Sequence, residues 1–154
     1  MRKQIIDRGP KTPPPEGTWL DLERLARVEI TSEAADHPIE AALGDGPGWR
    51  ADQPGEQTVR LLFDTPLRLR RVRLLYQEDA QERTQEFVLR WSGDDGRSYH
   101  EIVRQQYHFS PPGTTREVED YAINLGPVTT LELSIVPSIS GGSARASLAQ
   151  LRLA

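Results

Sequence analysis

The sequence predicts an all-β domain built as two antiparallel sheets around one core. Three observations carry this. Apolar and polar side chains alternate over run after run from Val28 onward, turn-forming clusters cut those runs at regular spacing, and no long amphipathic helical period appears. Alternation means that each strand wets one face and buries the other, so two layers must share their apolar faces. The 154 residues suit a single domain. A chain of this length buries about 68–70% of its unfolded surface, enough for a core without covalent staples.

Residues 1–17 read as a proline-rich arm and residues 18–154 as the domain. Gly9-Pro10 and Pro13-Pro14-Pro15 exclude regular helix and central strand and favour extended chain. From Thr18 to Ala26 the spacing of Trp19, Leu22, Leu25 and Ala26 predicts a short helix or turn that docks Trp19. Strands are then predicted at Val28–Ser32 and at Val59–Asp64, where Val59, Leu61 and Phe63 share a face. Val72, Leu74 and Tyr76 share a face in the next run, with Arg71 and Arg73 turned away. Leu69 is out of phase with them, which predicts a strand start or bulge near Arg70. Phe87, Leu89 and Trp91 alternate cleanly. Tyr99–Phe109, Val118–Leu125, Leu131–Ile135 and Leu148–Leu153 complete a set of about eight strands. Between them, Gly93-Asp94-Asp95-Gly96 is a tight hairpin signal, because Asp-Gly accepts positive φ. Thr65-Pro66, Pro111-Pro112-Gly113 and Ser140-Gly141-Gly142 mark further turns.

Composition narrows the chemistry. The absence of cysteine excludes disulfides, a thiolate nucleophile and cysteine-ligated zinc. The basic start Met1-Arg2-Lys3 is not followed by an apolar signal region, so a cytoplasmic location is expected. No run reaches the ~18–20 apolar residues that a membrane-spanning helix requires. The formal charge of −4 argues against non-specific nucleic-acid binding, which depends on neutralising phosphates. Lysine occurs only at Lys3 and Lys11, so the other basic residues are planar arginine donors, suited to carboxylates or sugar hydroxyls. The arginine run Arg68-Leu69-Arg70-Arg71-Val72-Arg73 reads as the outer face of a strand rather than a polyanion patch, since no stacking aromatics interleave it.

An enzyme should show a nucleophile with its base, a metal cluster or a cofactor loop, and none is evident. No nucleophile elbow or phosphate-cradling glycine loop occurs. Asp45 to Glu56 begins and ends like a calcium loop, but Pro47 and Trp49 fall at ligand positions. His100 and His108 lie ~26 Å apart at ~3.3 Å per residue on an unbroken strand, too far to share a metal. The acidic pairs Asp94-Asp95 and Glu119-Asp120 are explained by turn chemistry and by solvation on a strand. A glycosidase or lyase therefore ranks behind a binding role.

Four segments, in order, resemble the discoidin (coagulation-factor type C) or galactose-binding-like family, which includes bacterial carbohydrate-binding modules. Ile30-Thr31-Ser32-Glu33 is similar to that family's opening strand and Ala42-Leu43-Gly44-Asp45-Gly46-Pro47-Gly48-Trp49 to its aspartate-rich loop. Leu89 to Tyr99 resembles its Ser-x-Asp-Gly hairpin, and Ala146 to Leu153 its closing strand. The resemblance spans roughly Val28 to Ala154 and implies an antiparallel jelly-roll β-sandwich. It also implies a calcium ion held between the aspartate-rich loop and a glutamate of the last strand. Gln150 stands in that glutamate's place and the loop threonine is not evident, so no metal or other cofactor is expected. The cysteine pair that often joins the two ends of such domains is missing as well.

The same resemblance implies a ligand site on loops at one end of the sandwich. Carried over by position, it points to Asp36 and His37, then Gln77, Glu78 and Arg83, then Arg104, Tyr107 and His108. Arg83 or Arg104 with Glu78 would exchange hydrogen bonds with hydroxyls, and Tyr107 or His108 would supply a stacking face. Tyr107, His108 and Phe109 read equally as plain strand residues with Phe109 in the core, and Trp49 reads as packing. The leading expectation is a non-enzymatic module that binds a glycan or small polar ligand. The alternative is a protein–protein interaction or homo-oligomeric assembly module, since one fold serves many roles.

Overall fold

Residues 19–154 are described in the computed structural model of this chain, and the arm of residues 1–17 lies outside them. In chain order the elements are α1 (Leu22–Leu25), β1 (Ala26–Ile30), α2 (Glu40–Leu43), β2 (Trp49–Pro54), β3 (Gln57–Gln77), β4 (Arg83–Ser92), β5 (His100–Phe109), β6 (Arg116–Val136), β7 (Arg145–Leu148) and β8 (Gln150–Leu153). Two long strands, β3 and β6, pair antiparallel along their whole length and are bent midway, so each serves both layers. The first layer has the order β1-β3-β6-β4-β5; here Val59–Leu62 of β3 lies between β1 and the Leu131–Ile135 end of β6. In the second layer Val72–Leu75 of β3 lies between β8 and the start of β6. β2 and β7 form a separate two-stranded sheet.

The bend has a local cause. Ladder register shifts between Leu62 and Leu67, between Leu67 and Leu69, and between Leu69 and Arg71. Pro66 and Pro127 have no amide hydrogen to give to a ladder. A methyl group at Gly126 would stand 3.1 Å from the Arg68 Cα and 3.2 Å from the Leu67 carbonyl oxygen, so the two strands cross where a side chain would crowd the backbone. The expected bulge near Arg70 is the last of these shifts, and it explains why Leu69 and Val72 are both fully buried though out of phase.

Val59, Leu61, Leu133 and Ile135 from the first layer and Leu74, Tyr76, Leu151 and Leu153 from the second make one core. Tyr76 meets Phe87 across the layers with ring centroids 5.4 Å apart. Fully burying one such side chain contributes roughly 1.5–3 kcal/mol. Trp19 is docked as expected, with the Arg71 guanidinium 4.8 Å from its ring centroid. Arg71 is on the outer face but only 6% exposed, because Trp19 covers it and Asp120 accepts from its Nε at 2.8 Å. Arg68 donates to Asn124.

The number of strands agrees with expectation, but their identities differ. Val59–Asp64 and Val72–Tyr76 are halves of β3, and Val118–Leu125 and Leu131–Ile135 are halves of β6. The stretch Leu148–Leu153 breaks at Ala149 into the ends of two strands in different sheets. β2 escapes sequence reading because Asp52, Gln53 and Pro54 are polar or non-donating and exposed. The Gly93–Gly96 turn has Asp95 at φ 60° and Gly96 at φ 84°, as Asp-Gly predicts. It is longer than a tight hairpin, because Asp94 accepts from the Ser92 hydroxyl at 2.7 Å and from the Ser98 amide at 2.9 Å, folding the loop on itself. Glu119 corrects a second expectation: it is 9% exposed rather than solvated, facing the core beside Glu117.

Candidate functional site

A cleft of about 320 Å³ opens where the loop after β1, the start of β2, the β3–β4 loop and the β7–β8 junction meet. Its polar lining is His37, Arg50, Gln77, Glu78, Asp79 and Ser147, and its apolar lining includes Pro47, Trp49 and Ala149. Trp49 is the anchor. It is 1% exposed, and its indole N–H donates to the Ser32 carbonyl at 3.0 Å. With Trp49 fixed, the exposed Arg50 stands at the rim, and its amide and carbonyl brace the Ala34–His37 turn through bonds of 3.1 and 2.8 Å. Gly48, at φ +106°, comes so close to the β7–β8 junction that a methyl group would lie 2.9 Å from the Leu148 carbonyl oxygen.

The opposite wall is organised by Glu78. Its carboxylate accepts from Arg83 Nε at 2.7 Å and from the amides of Ala80 and Gln81 at 3.0 and 3.3 Å, curling the loop over the cleft. Burial alone would raise this carboxyl, but the Arg83 bond and the two amides outweigh it and hold it below its ordinary value. Arg83 is 4% exposed, also donates to the Pro137 carbonyl at 2.7 Å, and lies 4.9 Å over the Phe109 ring. It positions Glu78 from behind. Gln77 donates to Asp79 at 2.9 Å, presetting a second carboxylate on the same rim. Asp36 Oδ1 lies 3.1 Å from His37 Nδ1, and the neighbouring imidazole holds its carboxyl below the usual range.

The structure thus brings His37, Gln77 and Glu78 together, with Asp36 beside His37 and Arg83 beneath Glu78. Arg104, Tyr107 and His108 are not in the cleft lining. Arg104 is held by Glu101 at 3.0 Å and Glu86 at 3.8 Å in the ion pairs of the β4–β5 face. Tyr107 donates to the Arg116 carbonyl at 2.8 Å and meets Phe109 edge-on, while His108 contacts Thr84 at 2.7 Å and Glu82 at 3.2 Å. Phe109 is fully buried. Arg50, Asp79 and Ser147 were not singled out in the sequence. Arg50 follows the Gly48-Trp49 anchor directly, which is the one local signal that marked it.

The calcium that the family resemblance implies does not fit these residues. The loop carbonyls of Leu43 and Gly44 already accept from the Arg152 guanidinium at 2.9 and 2.8 Å, and Asp45 lies 3.6 Å from the same group. A cation built into the chain occupies the electrostatic position of a metal, and a dication sharing those oxygens would be repelled by it. Among the described residues no three His, Asp or Glu side chains converge to hold a metal ion.

One coupled carboxyl pair lies elsewhere, between the layers. Glu117, 1% exposed, accepts from Gln85 at 3.1 Å through Oε1, and its Oε2 has no hydrogen-bond partner among the described residues. Glu119 accepts from the Tyr121 hydroxyl. Burial first, and then the neighbouring Glu119, push the Glu117 carboxyl up to about 9. The two carboxyls lie on one face of β6, turned toward the core.

No protein-family profile and no curated protein matches this chain. Solved structures do. The module CpGH89CBM32-5 from Clostridium perfringens, in complex with GalNAc-beta-1,3-galactose, is 16% identical with a TM-score of 0.63, over 88% of this chain and 99% of that one. The family 32 carbohydrate-binding module of Clostridium perfringens NanJ, in complex with galactose, is 10% identical with a TM-score of 0.61, over 88% and 97%. A Ruminococcus gnavus GH29 fucosidase in complex with fucose is 8% identical with a TM-score of 0.67; the match takes in 90% of this chain and 26% of the fucosidase. This chain therefore spans about a quarter of that enzyme but nearly the whole of either module. The architecture of residues 19–154 is the galactose-binding-like jelly-roll β-sandwich of these modules.

Proposed function

We propose that this domain is a non-catalytic carbohydrate-binding module that takes a sugar in the cleft between His37, Arg50 and Glu78. The observation that carries the reading is a polar rim held in place before any ligand arrives. Glu78 is fixed by Arg83 and two loop amides, Asp79 by Gln77, and the backbone that carries Arg50 by the Trp49 anchor and its bonds to Ala34 and His37. Fixed planar donors and acceptors around an open cleft suit several hydroxyl groups at once, and little ordering is needed on binding. Arg50 and His37 donate, and Asp79 and the free lone pairs of Glu78 accept. Pro47 and Ala149 offer the apolar side of the ring a small wall in place of a stacking aromatic. Neighbours of the same fold in complex with galactose and with GalNAc-beta-1,3-galactose support the ligand class.

The test is a glycan array followed by titration calorimetry on the purified chain. Arg50→Ala removes a charged donor, and a bond of that kind contributes about 1.5–3 kcal/mol, so affinity should fall roughly 10- to 100-fold. Arg104→Ala, outside the cleft, should leave it unchanged. Absence of saccharide binding at millimolar concentration refutes the ligand class. Equal loss in both variants refutes the site.

A further inference from the structure

A second concavity, of about 440 Å³, lies between β1 and α2 and shares no lining residue with the sugar cleft. Val28, Ile30 and Leu43 are among its apolar residues, and Glu23, Glu33 and Glu40 stand on it as exposed carboxylates. Among the described residues none of these three carboxylates is in an ion pair. Glu33 is fixed by the Ile39 amide, which donates to its Oε2 at 2.9 Å. One wall of the groove is an edge strand, since among the described residues β1 pairs only with β3.

The register shows what that edge presents. Thr31 N–H donates to the Thr58 carbonyl at 3.1 Å, so residues in phase with Thr31, namely Arg27 and Glu29, face β3. Val28 and Ile30 then turn their N–H and C=O groups outward, along the same edge as the groove. An unpaired edge is a template for another extended chain. Here the half-buried side chains of Val28 and Ile30 supply an apolar floor for alternate residues of that chain, and the three glutamates set its charge.

We infer that the groove along β1 docks an extended basic segment of a partner protein, which adds a strand to the free edge of β1 and seats aliphatic side chains between flanking lysines or arginines. A second copy of this chain is disfavoured, because antiparallel pairing of β1 with itself would bring the acidic grooves of both copies, with Glu23, Glu33 and Glu40 on each, to one seam. The reading is independent of the sugar cleft.

The experiment uses fluorescence polarisation with a labelled synthetic nonapeptide alternating lysine or arginine with valine or isoleucine. A matched peptide carrying glutamate at the basic positions is the control. The basic peptide should bind saturably with a Kd tighter than about 1 mM, more weakly as salt rises, while the acidic peptide should not bind. In E23K/E40K, which spares Glu33 and its bond to Ile39, affinity should fall about tenfold. Val28→Pro deletes one outward N–H at an edge position where proline is tolerated and should also abolish binding, with folding checked by circular dichroism. Sugar binding should be unchanged in E23K/E40K, which separates this site from the cleft. Equal binding of both peptides, undiminished binding in E23K/E40K, or no saturation up to about 1 mM overturns the proposal. Self-association on light scattering that E23K/E40K alters, without peptide binding, overturns it in favour of a second copy.

Discussion

The buried Glu117 carboxyl, beside Glu119, makes stability depend on pH in a direction opposite to the usual carboxylate. Glu117 is 1% exposed and its carboxyl is raised to about 9, first by burial and then by Glu119, while Gln85 and Arg83 pull the other way. In the unfolded chain it returns to an ordinary value of about 4.3. The folded value is the higher one, so its contribution is fully present below about pH 4.3 and is lost as pH rises toward 9. One proton of linkage gives a slope of up to about 1.4 kcal/mol per pH unit. Between pH 6 and 8 that is up to about 3 kcal/mol, or a fall in Tm of roughly 6–12 °C for a domain of this size. That window is well chosen. Glu78, Asp36 and Asp94 are lowered and act below it, whereas Tyr76 and Tyr121 are raised and act above it. Thermal unfolding by circular dichroism at pH 6, 7 and 8 should show the fall in wild type and a much flatter profile in Glu117→Gln, whose amide is neutral throughout. Glu117→Gln should also be the more stable of the two at pH 8. A flat wild-type profile, or the wild-type slope persisting in Glu117→Gln, would refute the raised Glu117 carboxyl.

Arg152→Ala strips buried donors from the Leu43 and Gly44 carbonyls and should cost about 2–4 kcal/mol in denaturant unfolding. Wild-type Tm should be the same with calcium or with a chelator, because Arg152 fills the place of a metal. Arg83→Met leaves the Glu78 charge without its partner; stability should fall by about 3–5 kcal/mol and sugar affinity should drop with it, read by unfolding and calorimetry together. Gly48→Ala places a methyl 2.9 Å from the Leu148 carbonyl oxygen at φ +106°, so a loss of about 1–3 kcal/mol and weakened sugar binding are expected.

The sequence by itself determined the class of fold, because period-two alternation is a local property that survives without knowledge of partners. Val59, Leu61 and Phe63, or Phe87 and Leu89, declare a buried face wherever their strand is later placed. It also determined the Asp95-Gly96 turn and the bulge near Arg70, since each rests on backbone preferences within a few residues. Part of the candidate cleft was reached through the family resemblance: His37, Gln77 and Glu78, carried over by position, line it.

What only the tertiary structure decided concerns contacts between residues distant in sequence. That β3 and β6 each run through both layers involves a close crossing at Gly126, where a methyl would stand 3.1 Å from the Arg68 Cα, which no local pattern announces. Burial of Glu117 and Glu119 was hidden because an acidic side chain on an alternating strand looks solvated until the opposing layer covers it. Arg152 reaches the loop carbonyls of Leu43 and Gly44 across more than a hundred residues of chain. Arg50 joins the cleft only when β2 pairs with β7, while Arg104 is held by its ion pair with Glu86 and His108 by its bond to Thr84, contacts that exist only once β4 and β5 are side by side. Strand identity follows from alternation along the chain; a binding cleft follows from which loops the closed sandwich brings together.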